Sequence, residues 1–368
     1  MSKVHRLGIL TSGGDCAGLN AAIRAVAHRA VYSYGWTVHG IKDGTLGLMN
    51  RPIECQELSP DLFKGDLLRM GGTMLGTTNK GDPFAFPMPD GSLKDRSGDF
   101  VEGFHMLGLD ALIVIGGDGS LKILDKLCKQ GGVPMVGIPK TIDNDVHQTE
   151  FAIGFSTAVN VVVDALDRLQ PTAASHHRVM ILEVMGRDAG HIALSGGIAG
   201  GADVILIPEI PYSMDGIVKR IEAVSREGRS HVLVVIAEGC KTEDGAPLTV
   251  AWSGNQARYG GIGHYLSGRI AERVKAEVRV TVLGHVQRGG QPSMQDRLLA
   301  STFGVHAVDL VAKGKFNRMV AWQDRGVIDV PISKVVGSAR SVDPTGPVVH
   351  TARGLGIYVG EVPEEVDG

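Results

Sequence analysis

Short, almost uninterrupted apolar runs recur along the chain, each ending on glycine or a polar cluster. They are RLGIL at residues 6–10, ALIVIGG at 111–117, VPMVGIP at 133–139, RVMILEVMG at 178–186, DVILIPE at 203–209, HVLVVIAEG at 231–239 and VRVTVLGH at 278–285. A strand solvated on one face alternates in polarity, so runs this continuous predict strands buried on both faces. Between them lie longer stretches with helical apolar spacing, among them Asn20–Ser33 and Phe155–Leu169. The alternation predicts an α/β fold of doubly wound, Rossmann-like domains with mostly parallel sheets. Ligands of such sheets bind beyond the carboxyl ends of the strands, where this chain collects its glycines and polar residues. A length of 368 residues allows two such domains, and 43% apolar residues can fill their cores.

Composition excludes several classes of function. A net charge of −3 leaves no electrostatic footprint for nucleic acid or an anionic membrane, and neither is expected as a partner. The opening MSKVHRLGILTSGG has too short an apolar run for a signal peptide or a membrane span. Cys16, Cys55, Cys128 and Cys240 lie far apart with no CxxC pair, as free thiols of a reducing compartment do, so a cytoplasmic location is expected. Glycine is the outlier, with 51 residues, well above the usual share of about 7%. Its doublets at strand ends (SGGD, IGGDG, QRGGQ) suit backbone that approaches a ligand closely. Residues 76–99, rich in Gly, Pro and charge, read as a long surface excursion.

The strand ends carry the chemistry. In TSGGDCAGLNAAIRA (11–25) a strand stops at Gly13-Gly14 and a helix begins near Gly18–Asn20. Glycines leave room for a phosphate against backbone N–H groups, and the helix start adds partial positive charge. The stretch matches neither GxGxxG nor GxxxxGK[ST], and a tight strand-to-helix turn is the alternative reading. In IGGDGSLKIL (115–124), Asp118 can hold Mg²⁺ bound to nucleotide phosphates. A turn role for Asp118 and an N-cap role for Ser120 are the alternatives. In GIPKTIDNDV (137–146), Thr141 and Asp143 alternate and can face one site, with Asp145 beside them. One carboxylate can take the proton of an attacking hydroxyl while another orients it or helps hold a metal. Lys140 adds a point charge for phosphate, and an Asx-turn is the bland alternative. Further on, EVMGRDAGHIA places Met185, Gly186 and Arg187 at a strand end, AEGC places Glu238, and RVTVLGHVQRGGQPSMQDR supplies Arg279, His285 and Arg288. Arginines at separate strand ends suit an anionic ligand. Together these residues describe two phosphorylated molecules, a metal and a hydroxyl nucleophile, which is phosphoryl transfer.

At this point the sequence resembles the phosphofructokinases. GGDCAGLNAAIR, GGDGS, PKTIDND, MGRDAGHIA and LGHVQRGGQPSMQDR stand in that family's order and approximate spacing between Arg6 and Gly304. The resemblance implies two doubly wound domains with the active site in the cleft between them. Residues 1–154 plus about 288–340 would bind the phosphoryl donor, and 155–287 plus about 341–368 would bind fructose 6-phosphate. It implies transfer from Mg-ATP to the O1 hydroxyl of fructose 6-phosphate, a step of glycolysis, with Mg²⁺ as cofactor. Asp143 then resembles the base, supported at the transferring phosphoryl by Asp145, Thr141, Arg187 and Lys140, with Asp118 organising Mg²⁺. Gly14, Gly117, Asp118, Gly119 and Ser120 match the donor-phosphate loops. Met185, Gly186, Arg187, Glu238 and Arg288 match the sugar-phosphate pocket, as do Arg178, Arg279 and His285, with Thr141 and Asp143 facing the same sugar. Some of these basic groups come from a neighbouring subunit in the family, which implies a homodimer or homotetramer with shared sites.

Departures from the family pattern bear on the donor and on regulation. Asn79 stands where many ATP-dependent bacterial members carry arginine, and Lys80 beside it is expected to substitute. Lys140 resembles the pyrophosphate-dependent branch and Gly119 the ATP-dependent one; ATP is the expected donor and pyrophosphate the alternative. NAD or lipid kinases with a GGDG element are remoter alternatives, but they leave PKTIDND and GHVQRGG unexplained. A catalytically inactive sugar-phosphate-binding regulator is disfavoured by the intact Asp118 and Asp143. Arg24 matches one effector-binding base of the family, whereas His28 and Gln170 stand where arginines are expected. Conventional activation by ADP and inhibition by phosphoenolpyruvate are therefore not expected.

Overall fold

The apolar runs of the first half become adjacent parallel strands at the centre of one sheet. The computed structural model describes residues 4–63, 65–79, 81–253 and 256–361. The chain divides into two units, Met1–Thr157 with Arg288–Ala339 and Ala158–Gln287 with Arg340–Gly368.

In the first unit the sheet runs Gly326–Pro331, Arg318–Gln323, Met135–Thr141, Ala111–Gly116, Arg6–Thr11, Thr37–Ile41 and Cys55–Glu57. The inner strands are parallel and the two outermost pair antiparallel. Ala111–Gly116 is buried at every position and Arg6–Thr11 at all but the first, as the continuous apolar runs require. Leu10, Leu112, Val114 and Met135 pack with Leu121 and Leu124 of the helix Asp118–Gly131 and with Phe100 and Phe104 of the helix Ser97–Met106. Each such side chain, fully buried, contributes about 1.5–3 kcal/mol. The helix Leu19–Tyr34 packs against Met294–Ala312. From Arg6–Thr11 the chain winds to Thr37–Ile41 on one side, and it later enters Ala111–Gly116 on the other. The winding therefore reverses between Arg6–Thr11 and Ala111–Gly116, and such a switch point is where doubly wound sheets open a crevice for ligands.

The second unit holds a parallel sheet ordered Val204–Leu206, Val232–Ala237, Val179–Val184 and Val278–Val282. Tyr358 bridges to Val204 and covers that edge. The opposite edge departs from expectation: the apolar run predicts Val278–Val282 buried on both faces, yet Arg279 and Val282 are exposed. Its packing partner is the helix Ile262–Ala271 on one face, and an edge strand covered on one side exposes the other.

The helix Phe155–His176 begins in the first unit and continues into the second. Its opening amides are met by the buried carboxylate of Asp296, which accepts from the N–H groups of Gly154 at 2.9 Å and Thr157 at 2.8 Å. Those amides have no partner within the helix, and a negative charge there also meets the positive end of its dipole. Residues 76–99 are mostly half-buried or exposed, as expected, and include the short hairpin Phe86–Pro87/Leu93–Lys94. All four cysteines are free, and burial pushes the thiols of Cys16 and Cys128 up to about 12. Among the described residues no helix is long and apolar enough to cross a membrane.

Candidate active site

Three strand ends meet in the first unit. The registers Thr11↔Ile115 and Gly116↔Pro139 bring the segments 12–16, 117–120 and 140–145 side by side. Gly13 has φ 84°, a left-handed conformation open to glycine at little cost. Its N–H donates to the Thr78 carbonyl at 3.0 Å, and Thr77 Oγ1 donates to its carbonyl at 2.7 Å. A Cβ on Gly13 would lie 2.9 Å from Ser120 Oγ, and one on Gly14 would lie 2.7 Å from Arg288 Nη1. Glycine is favoured at Gly13 by its left-handed φ, while both added Cβ atoms would meet side-chain ends that have to move aside. Asn79 is exposed at the end of the segment laid over this loop, and Lys80 lies outside the described residues.

The second strand end turns through Gly117 into the helix beginning at Asp118. Ser120 is not the N-cap: that position belongs to Gly117, and no side chain caps the helix. Asp118 is half-buried, and its Oδ1 accepts the Gly337 N–H at 3.1 Å. That bond fixes the carboxylate and leaves Oδ2 without a hydrogen bond among the described residues. No cluster of three or more His, Cys, Asp or Glu side chains able to hold a metal exists among them. One fixed carboxylate fits Mg²⁺, which keeps several waters and takes its other ligands from phosphate. Gly119 behaves unlike the other glycines here: it is exposed, and a Cβ on it would meet nothing within 4 Å. Nothing in the fold requires glycine at that position.

At the third strand end, Lys140 is only 4% exposed and its ammonium donates to the Gly14 carbonyl. Burial lowers its pKa. Arg288 Nη1 donates to the next carbonyl, that of Asp15, at 3.1 Å. Two cations thus hold consecutive carbonyls of the loop. In a trans peptide the N–H points opposite to the C=O, so the amides of Asp15 and Cys16 point away from the cation on their own carbonyl, with Cys16 fully buried and Asp15 half-buried. Arg288 thus contacts the glycine loop of the first unit through one nitrogen of its guanidinium. Thr141 Oγ1 accepts the Asp143 N–H at 3.1 Å, so the turn alternative is realised in the backbone. The Asp143 side chain is 5% exposed. Asn144, left-handed at φ 53°, donates to the Glu150 carbonyl and accepts from the Ala152 N–H, both at 3.0 Å. It braces the loop between the two aspartates, while Asp145 stays half-buried.

The second unit presents two separate groups. Met185, Gly186, Arg187 and Glu238 follow the carboxyl ends of Val179–Val184 and Val232–Ala237. Met185 donates its N–H to Gln287 Oε1 at 2.6 Å, and Arg187 donates its own to Glu238 Oε1 at 3.4 Å. Gly239 is forced, because a Cβ there would stand 1.7 Å from the Arg187 carbonyl oxygen. His285 is exposed in the 3₁₀ turn Gly284–Arg288. Arg178 and Arg279 belong elsewhere: they flank the paired residues Val179 and Val278, at the amino ends of their strands. Arg178 Nε lies 2.5 Å from Glu277 Oε2, and Arg279 pairs with the other oxygen of the same carboxylate. Arg178 in particular holds the Glu277 carboxyl below its ordinary range.

The motif reading missed Gln287, Glu277 and Asp296. Gln287 and Asp296 lie inside LGHVQRGGQPSMQDR, so the motif covered them without assigning a task. Glu277 stands two residues before Arg279, on the same side of an extended strand, and that spacing was a usable signal.

A family model described as Phosphofructokinase matches residues 6–311. ATP-dependent 6-phosphofructokinase 1 of Nostoc sp. is 61% identical over 98% of this chain and 100% of its own length. ATP-dependent 6-phosphofructokinase 1 of Synechocystis sp. is 58% identical over 98% of this chain and 99% of its own. Among solved structures, Pichia pastoris phosphofructokinase in the T-state superposes with a TM-score of 0.78 at 30% identity, covering 91% of this chain and 38% of that one. The pyrophosphate-dependent phosphofructokinase of Marinobacter aquaeolei superposes with a TM-score of 0.78 at 22% identity, covering 99% of this chain and 94% of that one. At that identity the second likeness concerns the fold alone.

Proposed function

This chain belongs to the phosphofructokinase family, and we propose that it is an ATP-dependent 6-phosphofructokinase. It transfers the γ-phosphoryl group of ATP to the O1 hydroxyl of fructose 6-phosphate, giving fructose 1,6-bisphosphate in glycolysis. The observation that carries this reading is the junction of segments 12–16, 117–120 and 140–145 at one sheet switch point. It occurs in a chain 61% identical to a protein named as ATP-dependent. A coupled aldolase assay with fructose 6-phosphate, run with ATP and pyrophosphate in parallel, tests it; turnover with neither donor would refute it.

The first unit takes the donor and the second the sugar phosphate. The glycine loop Gly13–Asp15, with the helix N-terminus at Asp118, receives the donor phosphates. Asp118 would hold Mg²⁺, which would supply charge neutralisation at those phosphates. Asp143 takes the O1 proton as the oxygen attacks. Thr141, through the Asp143 amide, fixes the turn that presents this carboxylate. Asp145 and Arg187 assist at the transferring group. Lys140 holds the Gly14 carbonyl with one N–H and keeps its charge beside the donor loop, where it serves a γ-phosphate as readily as pyrophosphate. Met185, Gly186, Arg187, Glu238 and His285 contact the sugar phosphate.

Arg178 and Arg279 belong to this pocket only if a second copy supplies them. They sit at the amino ends of strands whose carboxyl ends carry Met185–Arg187, and a six-residue strand spans about 20 Å. Their placement supports a homo-oligomer with shared sites. Arg178→Ala and Arg279→Ala should each raise KM for fructose 6-phosphate far more than they lower kcat, because the group they hold does not react. Co-expressing Arg178→Ala with Arg187→Ala should partly restore low-KM activity, since a mixed oligomer contains sites with both arginines. No recovery would place all these residues in one subunit.

Regulation is expected to be unconventional. The His28 ring packs 4.4 Å from that of Tyr32, and Gln170 carries no charge. Each missing charge-assisted phosphate contact forfeits about 1.5–3 kcal/mol, so micromolar ADP or phosphoenolpyruvate should leave the rate unchanged. A saturable response to either would contradict this.

A further inference from the structure

Within the first unit, the short strand Ile153–Gly154 touches two of the three segments that meet at the candidate site. On one side it pairs in parallel with Lys140 and Thr141, the residues that lead into Asp143. On the other it meets Cys16, whose Sγ donates to the Ile153 carbonyl at 3.4 Å. Gly154 is left-handed at φ 104°, and a Cβ on it would stand 2.5 Å from Cys16 Sγ. A strand of two residues is shorter than the usual 3–10 or so, so its ladder alone is a weak hold. The buried carboxylate of Asp296 supplies a further one. Its Oδ1 accepts the Gly154 N–H at 2.9 Å, while Oδ2 accepts the Thr157 N–H at 2.8 Å and the Thr157 hydroxyl at 2.5 Å. Ser293 Oγ in turn accepts the Asp296 N–H at 3.1 Å and caps the helix Met294–Ala312, which fixes where Asp296 stands. Burial pushes the Asp296 carboxyl above its ordinary pKa, and the hydroxyl and amide donors around it oppose that push.

We propose that Asp296 is a positioning residue for the transfer step: by pinning Gly154 it sets the strand Ile153–Gly154, and through that strand the Thr141–Asp143 turn. The inference rests on the reading above, in which Asp143 takes the O1 proton. The chain of contacts is short. Asp296 holds Gly154, Gly154 lies beside Thr141 in the ladder, and Thr141 Oγ1 accepts the Asp143 N–H. Hydrogen bonds to an ionised carboxylate are shorter and stronger than neutral ones, so this anchor resists displacement better than the two ladder positions do. Steric contact with Cys16 blocks movement of Gly154 the other way. Proton transfer from an attacking hydroxyl tolerates little misplacement: about 1 Å can cost on the order of 10²-fold in rate. Capping of the helix Phe155–His176 accounts for the bonds to Thr157. A cap alone predicts a loss of stability when Asp296 is changed and no loss of rate in the folded protein.

The test measures kcat, KM for fructose 6-phosphate and the thermal midpoint of the full-length protein, on wild type, Asp296→Asn, Asp296→Ser and Thr157→Val. Asparagine keeps the shape but turns one acceptor into a donor, so it cannot accept from both Gly154 and Thr157; serine offers a single oxygen. Valine removes only the Thr157 hydroxyl and leaves Asp296 holding both amides. All three variants should lower the midpoint, because each leaves a buried polar group unpaired. Only the two Asp296 variants should lose kcat, by about 10–10²-fold at a temperature well below the midpoint. Their KM for fructose 6-phosphate should change by less than about threefold, since other residues hold the sugar phosphate. Thr157→Val should keep kcat within about threefold of wild type. Unchanged kcat in either folded Asp296 variant, a loss in Thr157→Val as large as in Asp296→Asn, or failure of both Asp296 variants to fold would assign the carboxylate to stability alone. Each of these results would overturn the inference while leaving the proposed function intact. Absence of turnover by the wild type with both ATP and pyrophosphate would remove the proposed function and this inference with it.

Discussion

Replacing Asp143 with asparagine is expected to lower kcat by about 10²–10⁴-fold, the usual worth of a positioned proton acceptor, with a modest change in KM. The substitution is nearly isosteric, and the surrounding turn is held in part by bonds that do not use the carboxylate. The Asp143 N–H is held by Thr141 Oγ1, and Asn144 braces the following residues through Glu150 and Ala152. Loss of rate in a folded variant is therefore attributable to lost proton transfer from O1. The measurement is the coupled assay at saturating ATP and fructose 6-phosphate, alongside a thermal melt. A folded Asp143→Asn variant with near-wild-type kcat would show that another group takes the proton.

The sequence disclosed the parts of this molecule that depend on local pattern. Continuous apolar runs marked Arg6–Thr11, Ala111–Gly116 and Met135–Thr141 because a strand buried on both faces leaves no polar positions. The same signal misled at Val278–Val282, since whether an edge strand is covered depends on its neighbours and not on its own residues. Gly13 and Gly14 were legible as close-approach positions, but their contact atoms, Ser120 Oγ and Arg288 Nη1, come from distant segments. The partner of Lys140 was not readable: only tertiary structure shows its ammonium donating to the Gly14 carbonyl, which leaves two of its three N–H groups for other acceptors. Arg279 was legible as a basic group at a strand end and Arg178 only through the family resemblance, while which strand end they occupy, and the Glu277 carboxylate they share, emerged from the register.

Introducing aspartate at Gly119 is expected to cut kcat/KM for ATP by about 10²–10³-fold while leaving the protein folded. Gly119 is the second residue of the helix Asp118–Gly131, its added Cβ meets nothing within 4 Å, and its backbone is not left-handed. Glycine in a helix costs up to about 1 kcal/mol relative to alanine, and a carboxylate near a helix N-terminus contributes about 0.3–1 kcal/mol. The thermal midpoint should therefore hold or rise, which removes misfolding as an explanation. The expected loss is electrostatic and steric. A carboxylate about 4 Å from a donor phosphate charge costs about 4 kcal/mol at an effective dielectric of 20, and its bulk occupies space the α-phosphate needs. Gly119→Ala separates the two effects, because it adds volume without charge and should lose much less. The proposed donor assignment rests on the same position, since an added Cβ at Gly119 meets nothing within 4 Å and leaves room for a nucleotide. The measurement is kcat/KM for ATP and for pyrophosphate on wild type and both variants. Pyrophosphate outperforming ATP on the wild type would overturn the donor assignment, and a Gly119→Asp variant with undiminished ATP use would overturn its physical reason.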